Sequence, residues 1–427
     1  MIKKLWAQRG SPGKILAKGG ITFFFRIVAM LFSFGIMWFI TNYFGDSVFG
    51  LYSLGLTILQ FAVLVFAMGV PNAFISFTGG FSGTHEHVGF LLKAVKTVLV
   101  AAALPLLVLT LSSGFISEYI FNKPNLWPFL VVAGLGTPVL ILHELLCFYF
   151  ISVKRFTLYG LFIFIIPNVL FAAFLLMAYY SAASPYIIFG SYVAAYVINI
   201  TIGFTAAFYK VGAVAYPAIT TRHLLRKALP MMMGGVFLML LNWTDILILG
   251  RYETEANIGI YNAAFRIGYL VLFFVSTMNV IILPKISELY YQKDFAGMKK
   301  AVNSFTQMVG LATIPLAAAI IFFSSYILSF LGKDFNTGST ALTLITLGGL
   351  YNAMTGNVDQ ILNMTDNQTM VSKILFAGFF LNVLLNLYLV PQYGINGAAW
   401  ASLLSNIFVN TVFVIVIKKK LGFWTFI

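Results

Sequence analysis

The stretch YFGDSVFGLYSL, residues 43–54, has a counterpart in YETEANIGIYNA, residues 252–263. In each, a Gly stands seven positions after the first Tyr and a second Tyr two positions later. These are Gly50 and Tyr52, then Gly259 and Tyr261, at an offset of 209 residues. Pro105 and Pro315 keep nearly the same spacing at 210, and Asn168-Val169-Leu170 precedes Asn382-Val383-Leu384 by 214. Each match is weak alone. Three in the same order point to a duplicated chain.

What is duplicated is a set of membrane helices. The chain has 427 residues, of which 60% are hydrophobic and only 9% charged. A soluble domain carries about a quarter charged residues, and a disordered chain needs low hydrophobicity, so both classes are excluded. Crossing the hydrocarbon layer takes about 20 apolar residues per helix. Twelve stretches meet that requirement: 21–43, 51–77, 89–111, 126–148, 157–179, 185–209, 229–250, 261–284, 304–331, 340–362, 371–391 and 395–417. They are long continuous runs, not the alternating ten-residue segments of a membrane β-barrel. The expected fold is therefore an all-α integral membrane protein of twelve transmembrane helices in two six-helix bundles.

Lys and Arg are retained on the cytoplasmic side of short membrane loops. Of the 26 basic residues, 21 fall on one side under this twelve-helix topology. Lys123, Arg251 and Lys333 fall on the other, and Arg26 and Arg266 lie inside helices. The split places both termini in the cytoplasm and supports an even helix count. It also accounts for the net charge of +14 without nucleic acid. The N-terminal MIKKLWAQRG resembles a signal-peptide start, but the apolar run after it is too long and no A-x-A site follows, so helix 1 is expected to be retained.

Six helices per copy means both copies enter from the cytoplasm. The repeats are then parallel, as in transporters built from two rocking bundles. The expected lobes are 1–209 and 210–427, with the basic loop 210–228 either a plain positive-inside loop or part of a gate. Pro71, Pro105, Pro138, Pro167 and Pro315 fall within the apolar stretches and would bend them, although proline is common in membrane helices. Gly397, Ala401 and Ser405 recur every four residues and form a stripe for close helix packing.

Ionisable groups inside a membrane are costly and usually face a cavity or a partner. Arg26, Asp245, Arg266 and Asp359 fall within the apolar stretches, and Glu144 lies near the inner end of one, close to Lys154 and Arg155 and the headgroup layer. Helices 7 and 8 form a hairpin, so Asp245 and Arg266 lie at similar depth and a buried ion pair between them is expected. Asn242 precedes Asp245 by three residues and Asn262 precedes Arg266 by four, so each shares a helical face with its charge. Asn352, Gly356, Asp359 and Asn363 form a polar stripe in helix 10. Two readings stand for these stripes: the wall of an aqueous lumen, or interhelical hydrogen-bond glue. Arg26 has a third, snorkelling to the interface.

Other motifs are uninformative. His85-Glu86-His87 reads as a solvated loop rather than a metal pair, and the lone Cys147 offers no disulfide or metal cluster. Asn199-Ile-Thr201 and Asn242-Trp-Thr244 match the glycosylation triplet but lie within helices. No GxxxxGK[ST] loop occurs, so uphill transport would draw on an ion gradient and no cofactor is expected.

The residues resemble a family. YFGDSVFGLYSL after helix 1, Gly69-Val70-Pro71, KALP at the start of helix 7, Asp245 in WTDILILG, IGIYNAAFRI, IILPKISELY and NLYLVPQYGINGAAWASLLS are similar to the polysaccharide biosynthesis (Wzx-type, O-antigen) flippases of the MATE-like superfamily. The likeness covers nearly the whole chain. It implies twelve helices around a central cavity. It also implies movement of an undecaprenyl-diphosphate-linked oligosaccharide from the inner to the outer leaflet of the bacterial cytoplasmic membrane by alternating access. Arg26 and Arg266 would then meet the diphosphate, and Asn242, Asn262, Asn352 and Asn357 the sugar hydroxyls. Proton or sodium antiport is implied, with Asp245 or Asp359 as coupling sites, and other polysaccharide assembly proteins are possible partners. A multidrug exporter of the same superfamily is the nearest rival, disfavoured because helix 1 carries Arg26 and no carboxylate. A polysaccharide polymerase or ligase would need a large outer loop, and the longest here is 112–125; no enzyme activity is expected.

Overall fold

The computed structural model describes residues 12–78, 81, 83–181, 184–209 and 211–425, with side chains at all of these except 12–23, 233–235, 277, 280, 281 and 284. The described residues are helical almost throughout and contain no strand. In chain order the principal helices are α1 (Pro12–Phe44), α2 (Asp46–Phe66), α3 (Val70–Thr78), α4 (Thr84–Leu111), α5 (Trp127–Ser152), α6 (Phe156–Tyr180) and α7 (Ile187–Phe208). There follow α8 (Thr221–Tyr252), α9 (Glu255–Gly268), α10 (Phe273–Tyr291), α11 (Phe295–Phe322), α12 (Ser339–Thr355), α13 (Val358–Met364) and α14 (Gln368–Leu421).

Among the described residues, nine helical stretches are long and apolar enough to cross a membrane, or ten when the two arms of α8 count as one span. Twelve were expected, and one of the expected stretches is interrupted. The stretch 340–362 is not one helix: Gly356 (φ 85°) and Asn357 (φ 57°) are left-handed and separate α12 from α13. The stretches 371–391 and 395–417 fall on the two helical arms of α14, which are parted by the non-helical Gly394 (φ 56°, ψ −133°).

A further correction concerns 51–77, expected as one helix carrying Pro71 in its interior. Met68 and Gly69 both take positive φ and divide it into α2 and α3, which puts Pro71 in the first turn of α3. A proline is tolerated there because the N–H it lacks has no intrahelical partner. Gly69 is required on space as well: a Cβ would lie 2.3 Å from the Ala228 carbonyl oxygen.

The chain divides into two compact units. Unit 1 comprises the residues up to Phe39 together with Ile58–Met232, and unit 2 comprises Ile40–Thr57 together with Met233 onward. In unit 1, α4 packs on α5, with Gly134 set against Leu109 and Thr110. Pro105 and Pro138 lie inside these two helices. In unit 2 the start of α2 crosses the start of α9 with backbone against backbone. A Cβ at Gly50 would stand 1.7 Å from the Glu255 carbonyl oxygen, and one at Gly259 would stand 2.6 Å from that of Asp46. The two glycines of the duplicated motif thus permit the same crossing.

Candidate functional site

Asp245, on α8, is fully buried. Its Oδ2 accepts hydrogen bonds from the Tyr261 hydroxyl of α9 (2.6 Å) and from the Ser402 hydroxyl beyond the bend of α14. Its Oδ1 accepts from Asn386 Nδ2 (2.7 Å) and Asn382 Nδ2 (3.3 Å), both before that bend. Asn382 and Asn386 share a helical face because they are four residues apart. Gly394 turns the chain so that Ser402 returns to the same carboxylate. A carboxylate has about four lone-pair sites, and all four are met by neutral donors. Its hydrogen bonding is complete, and among the described residues it has no ion-pair partner.

The expected Asp245–Arg266 pair is therefore overturned. Arg266 instead donates from Nε to Oδ1 of Asn262, one turn earlier on α9 (2.8 Å). The amides and hydroxyls of Asn382, Asn386, Tyr261 and Ser402 take up the carboxylate's acceptor positions.

Beside this cluster in unit 2 is a cavity of about 250 Å3, and Asn242, Asn352, Asn357 and Asp359 all line it. Asn242 Oδ1 accepts from the Tyr269 hydroxyl, which also faces the cavity. Asn357 donates from Nδ2 to Asn279, and Asp359 accepts from Gln360 (2.9 Å). The stripe expected in helix 10 does not survive as a continuous helical face, because the left-handed pair Gly356-Asn357 interrupts it. Even so, Asn352 and Asp359 meet on one cavity from either side of the break.

Three predicted residues, Asn262, Arg266 and Arg26, stand elsewhere. Asn262 is buried against Arg266 on α9. Arg26 belongs to unit 1, where its guanidinium lies 5.6 Å from the centre of the Phe164 ring and its side chain is exposed. Glu144, on α5, is exposed as well. Tyr261, Asn382, Asn386 and Ser402 were absent from the predicted set. The 4-residue spacing of Asn382 and Asn386 and the repeated Tyr261 were available as signals. Ser402 was not, since it lies next to the small-residue stripe and reads as packing. Among the described residues no group of His, Cys, Asp and Glu is arranged to hold a metal ion.

The family described as "Polysaccharide biosynthesis protein" matches residues 15–290. The chain belongs to that family. A second family, MatE, matches residues 230–388, which include most of α8 and most of the first arm of α14. Among curated relatives the chain is similar to the "Probable low-salt glycan biosynthesis flippase Agl15" of Haloferax volcanii, 25% identical over 42% of this chain and 37% of that one. It is also similar to the "Probable flippase AglR" of the same organism, 26% identical over 38% and 35% respectively. The matches thus span little more than a third of those relatives' length. Among solved structures, this family member superposes on "Lipid II flippase MurJ, inward closed conformation" with a TM-score of 0.76 at 19% identity, covering 94% of this chain and 87% of that one. It superposes on an inward-facing multidrug resistance MATE family transporter with a TM-score of 0.77 at 9% identity, covering 95% and 98%. The fold of this multi-pass membrane protein is MATE-like.

Proposed function

We propose that this polysaccharide biosynthesis family member is a flippase for lipid-linked oligosaccharides, a transporter and not an enzyme. The observation that carries the reading is the amide-lined cavity beside a buried, uncompensated carboxylate in unit 2. Amides match the hydroxyls of a sugar, and a charge without a counter-ion is a natural seat for a moving cation. The names of the curated relatives and the MurJ fold support the same cargo class.

The finer reading is an undecaprenyl-diphosphate-linked O-antigen or related repeat unit. It moves from the inner to the outer leaflet of the bacterial cytoplasmic membrane by alternating access of two six-helix lobes, with both termini cytoplasmic. Arg26 and Arg266 meet the diphosphate, and Asn242, Asn262, Asn352 and Asn357 bond the sugar. Asp245 takes up the coupling proton or sodium ion, with Asp359 as the second candidate. Neutralising Asp245 would relieve the cost of a buried charge, and that relief is what an ion gradient would exploit. Other assembly proteins would supply the cargo and receive it.

Arg26→Ala and Arg266→Ala should each impair surface-glycan export while membrane protein level holds. Wild-type glycan in both variants would remove the arginines from the site. The match to MatE favours one other reading, a cation-coupled multidrug exporter. Under that reading, deletion of the gene would raise sensitivity to organic cations and leave surface glycan unchanged.

A further inference from the structure

A groove in unit 1, between α4, the 211–220 segment and the first turn of α8, has no part in that reading. Its volume is about 770 Å3, and its walls include Lys93, Lys96, Thr97, Val100, Tyr216 and Thr221. No Asp or Glu lines it. Neither lysine has an ion-pair or hydrogen-bond partner for its ammonium group among the described residues. Thr221 opens α8, and the Thr220 hydroxyl caps that end by accepting from the His223 amide (3.2 Å). The N-terminus of a helix adds a partial positive charge to the same wall. Three separate elements therefore present positive charge and hydroxyls to one uncompensated space.

The groove is also continuous with an apolar surface. From Lys96, positions 100, 104, 107 and 111 follow at helical spacing along α4. Val100, Leu104, Leu107 and Leu111 are exposed by 73%, 58%, 53% and 80%. At about 1.5 Å per residue this stripe runs roughly 22 Å from Lys96, enough to cross one leaflet of a bilayer about 30 Å thick. Cations at one end and an exposed aliphatic stripe at the other match the two parts of a phospholipid.

We propose that the groove binds the phosphate headgroup of an anionic glycerophospholipid of the surrounding bilayer, with one acyl chain laid along Val100–Leu111. The bound lipid bridges α4 to the 211–220 segment. That segment already lies against α4: a Cβ at Gly89 would stand 2.0 Å from the Ala215 carbonyl oxygen. Occupancy therefore holds the connection between α7 and α8 in place. The site is independent of the flippase reading and stands whatever the cargo is.

Native mass spectrometry of the full chain, with phosphatidylglycerol or phosphatidylcholine added, tests this. The wild type should retain phosphatidylglycerol in preference to phosphatidylcholine. Lys93→Gln/Lys96→Gln should weaken that retention roughly 30-fold, from the attraction of each basic residue to anionic lipid. Lys299→Gln/Lys300→Gln, which removes two exposed lysines of α11, should leave it unchanged. Val100→Glu should also reduce it, by repelling the phosphate without removing a cation. Equal retention of phosphatidylcholine, or an equal loss in the α11 variant, would overturn the proposal. So would displacement of the lipid by glycerol phosphate alone, since the acyl stripe would then contribute nothing.

Discussion

Units 1 and 2 bury their polar side chains for opposite purposes. In unit 1 they repair backbone. Residues Leu161–Ile165 of α6 form a π-helical turn in which the Ile166 amide bonds the Leu161 carbonyl. The next residue, Pro167, has no N–H, so the Phe162 carbonyl is left without a main-chain donor. Asn199 Nδ2 (2.9 Å) and His143 Nε2 (3.0 Å) supply donors to that oxygen. In unit 2 the corresponding investment goes into a carboxylate: Asn382, Asn386, Tyr261 and Ser402 all face Asp245. The position 209 residues before Asp245 is Ile36, a buried aliphatic. Two copies that share turn motifs have thus diverged where charge is concerned, and only unit 2 carries a carboxylate at this position.

The sharpest way to break that contrast is Asp245→Asn, which keeps the shape and removes the charge. If the carboxylate couples transport to an ion, surface-glycan export should fall to the level of a gene deletion. The folded protein should remain in the membrane, because relief of a buried charge offsets weakened hydrogen bonds. Placing a carboxylate back on the same oxygen cluster with Asp245→Asn/Asn386→Asp should restore part of the export. Normal export by the single variant would reduce Asp245 to scaffold, as the amides of unit 1 are.

Next in size is Gly50→Ala. With its Cβ 1.7 Å from a backbone carbonyl, either α2 or α9 must shift. The loss of stability should exceed the roughly 3 kcal/mol typical of overpacking. Gly259→Ala, at 2.6 Å, should cost less. Gly35→Ala in unit 1, with nothing within 4 Å, should be neutral. Thermal unfolding of the three purified variants gives the order, and equal midpoints would show that α2 and α9 can separate freely.

The residues at fault explain which parts of this molecule were legible beforehand. Membrane helices announce themselves by apolar length, so most spans were found. The exception hinges on single backbone states: Gly356 and Asn357 end α12 early, whereas Gly394 parts the two arms of α14 where two stretches already looked separate. Glycine and asparagine permit such states without requiring them. At the site, polar residues within apolar runs were visible, and Asn242, Asn352, Asn357 and Asp359 do converge. Pairing was not visible. Charge and depth favoured Arg266 for Asp245, but three of the four partners came from α14, more than 130 positions away, and the fourth is the neutral Tyr261 of α9.

Asn357 offers a smaller effect that separates backbone from side chain. It holds φ 57° and ψ 47°, and its amide bonds Asn279. Asn357→Gly loses the bond and keeps the backbone at ease. Asn357→Ala loses the bond and adds a left-handed penalty of about 1–2 kcal/mol. The alanine variant should therefore unfold at the lower temperature. Equal midpoints would mean that α12 and α13 have straightened into one helix, removing the break that distinguishes this part of unit 2.

The least effect is expected outside the apolar segments, where Lys285 donates to Glu288 at 3.0 Å. That hydrogen bond first, and the ammonium charge second, hold the Glu288 carboxyl below its ordinary range. A depressed carboxyl stabilises the folded state above the ordinary value of about 4.3 and loses that contribution as pH falls through its own lower value. Both side chains are 52% exposed, so water and salt screen the pair. Lys285→Ala should leave the unfolding midpoint at pH 7 within experimental error, and acidification should erase whatever difference remains. A loss comparable to that of Gly50→Ala would show that exposed charge, and not only the buried cluster at Asp245, sets the stability of unit 2.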